Sequence, residues 1–186
     1  MSQLATTNPA VEPVEAFTKL EQNGAALMPL RKAGLARFSD SGYPTLRDED
    51  WRFTNVKPIA ELPFRPTIDP LGQALGQEQL GNVTFGQLSA DRLVFIDGHF
   101  NAALSQIGDQ SSGVTVTHLT SGLAGFEREL GSLSIGDDNP FVALNDAFFT
   151  DGAVIQIADG QRLAKPVHLL FVTTASEDGE AAHIRN

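Results

Sequence analysis

The chain contains no cysteine, which removes a disulfide framework, a thiolate nucleophile and any metal or cluster held by this chain through its own thiolates. Positive charge is scarce as well: 13 lysines and arginines stand against 23 aspartates and glutamates, a formal net charge of -10. Such a surface repels the phosphate backbone that supplies most nucleic-acid affinity, and it suits an anionic membrane no better. The acidic balance favours solubility and attracts a basic partner or a cation. No apolar run approaches the length of a membrane span, and residues 1–10 lack the basic start and continuous apolar stretch of a signal peptide. These absences predict a cytosolic protein that contacts neither nucleic acid nor membrane.

Chemical motifs are equally sparse. The glycine-framed phosphate loop that ends in Lys and Ser or Thr is missing, as are a Gly-x-Ser-x-Gly elbow and a Ser-x-x-Lys pair, so no motif supports a nucleophilic hydrolase. The only imidazoles are His99, His118, His168 and His183. No two lie close in sequence, and a metal site needs three or four convergent ligands, so each reads as a structural histidine. Asp48, Glu49, Asp50, Asp137, Asp138, Asp146 and Asp151 are numerous enough for acid–base chemistry, yet no spacing singles out a pair. Asp48 to Asp50 read as a solvated helix start and Asp137 and Asp138 as helix caps, both favoured by the helix dipole. Trp51, the lone tryptophan, reads as the residue that packs a connector onto the core. No catalytic, cofactor-binding or metal-ligating residue is expected in this chain.

What is present supports a packed core. With 41% hydrophobic residues, 12 of the 186 residues being Phe, the composition is that of a folded domain, or of one domain and part of another. Val14, Phe17 and Leu20 follow Pro13 at helical spacing, and Gly24 ends that run. A second helix starts near Met28-Pro29, runs through Leu30, Leu35 and Phe38, and leaves at Ser39 to Gly42, which predicts an antiparallel helical pair. Pro44, Pro58, Pro63, Pro66 and Pro70 then impose an ordered connector with a polar and aromatic centre at residues 47–56. Residues 71–90, rich in glycine and glutamine, read as a loop with a helical turn at most.

Arg92 to Ile96, Asp97-Gly98 and His99-Phe100 form a hairpin pattern, because Asp-Gly supplies the positive backbone angles of a tight turn. Val114 to Leu119 alternates as a strand, and Leu123, Phe126, Leu130 and Leu133 recur at helical spacing. Asp138 or Asn139, with Pro140, caps a helix through Phe141, Leu144, Ala147 and Phe148. Beyond residue 150 the pattern changes to short strands, Gly152 to Ile157 and Val167 to Thr173, joined by a turn at Ala158 to Gly160 and a bridge at Leu163 to Pro166. These fit successive rungs of a parallel β-solenoid and an antiparallel pair equally well. Ala181 to Asn186 looks like a strand without the polar cap of a finished solenoid, so the chain is expected to stop in mid-fold.

The stretch Tyr43-Pro44-Thr45-Leu46-Arg47-Asp48-Glu49-Asp50-Trp51-Arg52-Phe53-Thr54-Asn55-Val56 resembles the N-terminal signature of the SufB/SufD family of iron-sulfur cluster assembly proteins, on its SufD branch. Three further stretches match in order: Arg92 to Phe100, Asn139 to Gly152, and Ala164-Lys165-Pro166-Val167-His168-Leu169-Leu170. The resemblance spans roughly residues 14–186 and covers only the front of such a protein.

It implies an α+β fold in which a helical and mixed N-terminal domain, residues 1–150, leads into the first rungs of a right-handed parallel β-helix at residues 151–186. It also implies a non-catalytic scaffold subunit acting with SufB and the ATPase SufC, the cluster residing transiently on the full complex and not on this chain. The family's cluster-building groups lie beyond Asn186, so His168 and His183 inherit no such role. An open β edge at the chain end would promote self-association. Two other functions fit the residues: a β-helix carbohydrate-active enzyme, which needs a file of acidic and basic groups along a groove, and a stand-alone acidic module recognising a basic partner.

Overall fold

A computed structural model describes residues 17–21, 25–61, 65–69, 75–81, 84, 88–122, 124–126, 129–174 and 180–181. Among the described residues the architecture is mixed α+β, with short helices and three small sheets. The chain divides into two compact units, neither continuous in sequence.

The first unit draws on Met1–Ile68, Arg128–Phe148 and Glu177–Ala181. Residues 17–21 are helical, and Phe17 and Leu20 are buried as their spacing predicts; Pro13, Val14 and Gly24 lie outside the described residues. Helix α1, Met28–Ser41, carries a proline in its first turn and buries Met28, Arg31 and Gly34 at every third position. It ends at Gly42, whose positive φ of 65° accompanies a 2.7 Å bond from its N–H to the carbonyl of Phe38. Within the connector lie helix α2, Lys57–Ala60, with Pro58 in its first turn, and a two-residue strand β1, Arg65–Pro66.

The main contact surface of α1 is a later helix in the chain. Small residues make that approach possible, for Gly34 sits against the helix containing Ala143 and Ala147, both buried. A Cβ at Gly34 would lie 2.7 Å from the Ala143 carbonyl oxygen and 2.7 Å from the Ala147 nitrogen. Around this crossing Phe17, Leu20, Met28, Ile68, Ala147 and Phe148 form one apolar core, with Phe17 and Phe148 edge to face.

The second unit draws on Asp69–Glu127, Phe149–Ser176 and Ala182–Asn186. Helix α3, Gln77–Gly81, is the helical turn expected in the Gly- and Gln-rich stretch, and it buries Leu80. Strands β2, Asp91–Ile96, and β3, His99–Phe100, form the expected hairpin, with Phe95 opposite Phe100 and Ile96 opposite His99. Asp97 and Gly98 both adopt positive φ, 50° and 86°, as the turn requires. Strand β4, Val114–His118, runs directly into the four-residue helix α4, Leu119–Gly122.

The sequence predicts a helix carrying Leu123, Phe126, Leu130 and Leu133, and the described residues there form turns instead. The interruption is conformational: Gly131 has φ 79°, outside any right-handed helix, and Leu133 is 97% exposed. Leu123 lies outside the described residues. The helix expected from Asn139 does form, as α5, Pro140–Phe148, and this is the helix that crosses α1 in the first unit. The Asn139 side chain caps it by accepting from the Phe141 N–H at 3.0 Å.

Past residue 150, strands β5, Ala153–Ile157, and β6, Val167–Val172, do not pair with each other. Strand β5 lies antiparallel to β4, His118 opposite Ala153, while β6 lies parallel to β2 over six residues, from Asp91 opposite Val167 to Ile96 opposite Val172. An antiparallel β5–β6 pair, one of the two arrangements the sequence permits, is therefore excluded. The other, a β-solenoid, requires stacked rungs; the described residues of this unit hold one six-residue parallel ladder, between β2 and β6, and show no parallel β-helix.

Strand β2 is apolar on both faces. Leu93 and Phe95 enter a core with Val114, Val116 and the half-buried Phe171, whereas Val94 packs with Leu80 and Leu104. Strand β7, Glu180–Ala181, pairs parallel with β1 in the first unit; His183 and the rest of the expected terminal strand lie outside the described residues.

Candidate functional site

The aspartates separate into distinct environments. Asp48 does not cap the 3-10 turn at Glu49–Trp51; its carboxylate accepts from the Thr45 N–H at 2.6 Å and the Thr45 hydroxyl at 3.0 Å, which hold its pKa below the usual carboxylate value. Glu49 and Asp50 are exposed. Asp137 accepts from the Asn139 N–H at 2.8 Å, bracing the residue that caps α5.

Asp146 is fully buried on α5 and meets the guanidinium of Arg37 on α1; the same guanidinium donates to the carbonyl oxygens of Ser134, at 2.7 Å, and Asp137, at 3.3 Å. Arg31, which unlike Arg37 is fully buried, donates to the Leu20 carbonyl at 3.2 Å, and its burial lowers its pKa. Neither arginine was visible as a core residue, because periodicity counts apolar side chains only.

Trp51 is half-buried and packs 5.2 Å from the ring of Phe141, with Tyr43 5.9 Å from the same ring and Phe38 edge-on to Tyr43. The connector is thereby fastened to α1 and α5, as the sequence predicts for this tryptophan. Phe53, two residues on, is 88% exposed, with the Arg52 guanidinium 4.7 Å above its ring.

In the second unit Asp97 does more than turn the hairpin. Buried, it accepts from the Thr174 N–H at 2.7 Å and the Thr174 hydroxyl at 2.6 Å, tying the β2–β3 turn to the end of β6. His168, on β6, is half-buried opposite Arg92 on β2.

His99 is partly buried, and its Nε2 is enclosed without a hydrogen-bond partner. Burial pushes its imidazole below the ordinary value of 6.5, opposed in part by the carboxylates of Asp151, Asp69 and Asp97. The unfolded chain then takes up a proton that the folded chain resists, so stability falls as pH drops through about 6.5. Urea unfolding at about pH 7.5 and about pH 5.5 is expected to show a smaller acid loss for His99→Phe than for the parent; equal losses would contradict this origin.

The densest polar constellation gathers at the β4–α4 junction. His118 places Nδ1 3.0 Å from Oδ2 of Asp151 and 2.9 Å from the Thr120 hydroxyl, and Nε2 2.8 Å from the Ser121 hydroxyl. Asp151 also accepts from the Thr120 N–H, the Thr120 hydroxyl and its neighbour's Gly152 N–H. Phe100 stacks on the imidazole at 4.0 Å with 9° between planes, fixing the ring.

The sequence presents His118 as a structural histidine and Asp151 as one of several carboxylates that no spacing pairs with a base. Their juxtaposition depends on the antiparallel register of β4 and β5, which no local motif encodes. Among the described residues no group of three or more His, Asp or Glu is arranged to hold a metal ion. Nor is any helix among them long and apolar enough to cross a membrane.

Residues 15–169 match the family described as the SufBD protein N-terminal region. That span contains the Tyr43–Val56 signature, the hairpin and the α5 stretch in full. The chain is 34% identical over 135 residues to an iron-sulfur cluster assembly SufBD family protein of Synechocystis, covering 70% of this chain and 29% of that protein. It is 26% identical over 178 residues to the iron-sulfur cluster assembly protein SufD of Escherichia coli, covering 89% and 37%. A chloroplastic SufBD family protein of Arabidopsis thaliana is 25% identical over 191 residues, covering 91% and 33%. The chain thus spans about a third of the length of these curated relatives. With the family match covering most of its length and the connector, hairpin and α5 in place, this chain belongs to the SufBD family through the family's N-terminal region.

Proposed function

We propose that the chain is the front part of a non-catalytic scaffold subunit of iron-sulfur cluster assembly, on the SufD branch, which acts with SufB and the ATPase SufC in the cytoplasm. The observation that carries this reading is the family match over residues 15–169, joined to relatives whose names place them in cluster assembly. Zero cysteines agree with a chain that holds no cluster itself, the cluster being cargo of the full complex.

In this reading residues 1–150 form a capping domain and residues 151–186 open a right-handed parallel β-helix. The parallel β2–β6 ladder supports that architecture, since stacked parallel strands are the unit from which a solenoid is built. A rigid stack of rungs would let two subunits hold groups at a fixed separation. Strand β6 is an edge of its sheet among the described residues, so the isolated chain is expected to self-associate. Sedimentation velocity across concentrations would then show a growing dimer; a monomer throughout would contradict that expectation.

Co-expression of the full-length protein carrying this chain with SufB and SufC tests the functional reading. Recovery of a stoichiometric complex through a tag on any one subunit is expected, and separate elution of this protein would overturn it.

A further inference from the structure

The β4–α4 junction holds a serine, a histidine and an aspartate in hydrogen-bonded series, a feature that scaffolding does not use. The carboxylate of Asp151 only accepts, and the Thr120 hydroxyl donates to it at 2.9 Å, so the hydrogen on His118 belongs on Nδ1, which faces both. Nε2 is then a bare acceptor, and the group 2.8 Å from it is the hydroxyl of Ser121. Asp151 is buried, His118 is partly buried under the ring of Phe100, and Ser121 is exposed. A base is thus oriented from behind by a carboxylate and aimed at a serine open to solvent, the arrangement that activates a hydroxyl as nucleophile. The start of α4 does not require the Ser121 hydroxyl, because Asp151 already accepts from the Thr120 N–H.

We propose that Ser121 is a base-activated nucleophile, a modification site that takes an acyl-type group from an activated donor. In the step, Ser121 Oγ forms a bond to the electrophilic centre as its proton passes to His118 Nε2. The leaving group departs with the bonding pair, and the imidazolium, stabilised by Asp151, releases the proton to water or to the leaving group. No oxidant, reductant or metal enters the balance.

The probe is an alkyl fluorophosphonate, with which Ser121 would form an O–P bond while the P–F bond breaks and fluoride leaves. Treating the chain and mapping adducts by mass spectrometry is expected to place the label on Ser121 about 100-fold faster than on the exposed Ser111 and Ser112. Ser121→Ala should abolish the adduct, and Asp151→Asn and His118→Gln should each slow it by about 100-fold. Circular dichroism identifies any variant that fails to fold, and the parent's selectivity among its own serines decides the matter without those variants. No adduct at Ser121, labelling no faster than at Ser111 and Ser112, or labelling unchanged in folded Asp151→Asn would each overturn the proposal and leave a structural clasp.

Discussion

Gly34→Ala is expected to destabilise the first unit by about 2 kcal/mol, although the same exchange stabilises most helices. Helix propensity favours alanine by about 1 kcal/mol. Against it stands a Cβ placed 2.7 Å from two backbone atoms of α5 and 2.8 Å from the Asp146 Cβ, none of which is the far end of a flexible side chain. The helices must separate, and overpacking of this kind costs about 3 kcal/mol, the upper end of its usual range. Separation would also loosen the core that Met28 shares with Ala147 and Phe148. Chemical denaturation of the parent and the variant measures the difference; an unchanged or raised midpoint would show that α1 and α5 do not cross this closely.

The second large effect is expected at Arg37. Its guanidinium meets the fully buried Asp146 and donates to the Ser134 and Asp137 carbonyls, so one side chain joins α1, α5 and the turn ahead of α5. Arg37→Met keeps the aliphatic stem and leaves the Asp146 carboxylate without its counter-charge, at a cost of about 3 kcal/mol. Arg37→Lys should recover only part of that, because an ammonium cannot span carboxylate and carbonyls in one plane. The pair is partly open to solvent on the Arg37 side, which is why the lower end of the range applies. Equal stability of the methionine and lysine variants would refute the role of the forked geometry.

These two sites show where sequence reading reaches its limit. The hairpin at Asp97-Gly98, the cap at Asn139 and the packing role of Trp51 were legible, because each follows from local chemistry: positive φ in a tight turn, a side-chain acceptor at a helix start, an amphipathic ring in a proline-rich connector. The α1–α5 crossing was not, since it joins residues more than 100 positions apart through a glycine that reads locally as a weak point.

Leu130 and Leu133 misled for the opposite reason. Their spacing suits a helix, but Gly131 between them takes a backbone angle no helix contains. The return of β6 to β2 was equally hidden, because two apolar strands carry no mark of their partners. The Ser121, His118 and Asp151 series went unseen because two members are local and the third arrives only through strand register.

The family match spans residues 15–169, and Trp51 within its signature stretch also fastens the connector to α5. What the assignment means for function turns on the fate of the strands after residue 150. Determining the structure of the full-length protein that carries this chain, in complex with SufB and SufC, tests this most directly. The predicted result is a strand from the remainder of that protein that stacks on the open edge of β6 in parallel, as the next rung of a right-handed helix, with SufB alongside. An antiparallel strand closing the β6 edge, or a complex from which this protein is missing, would contradict it.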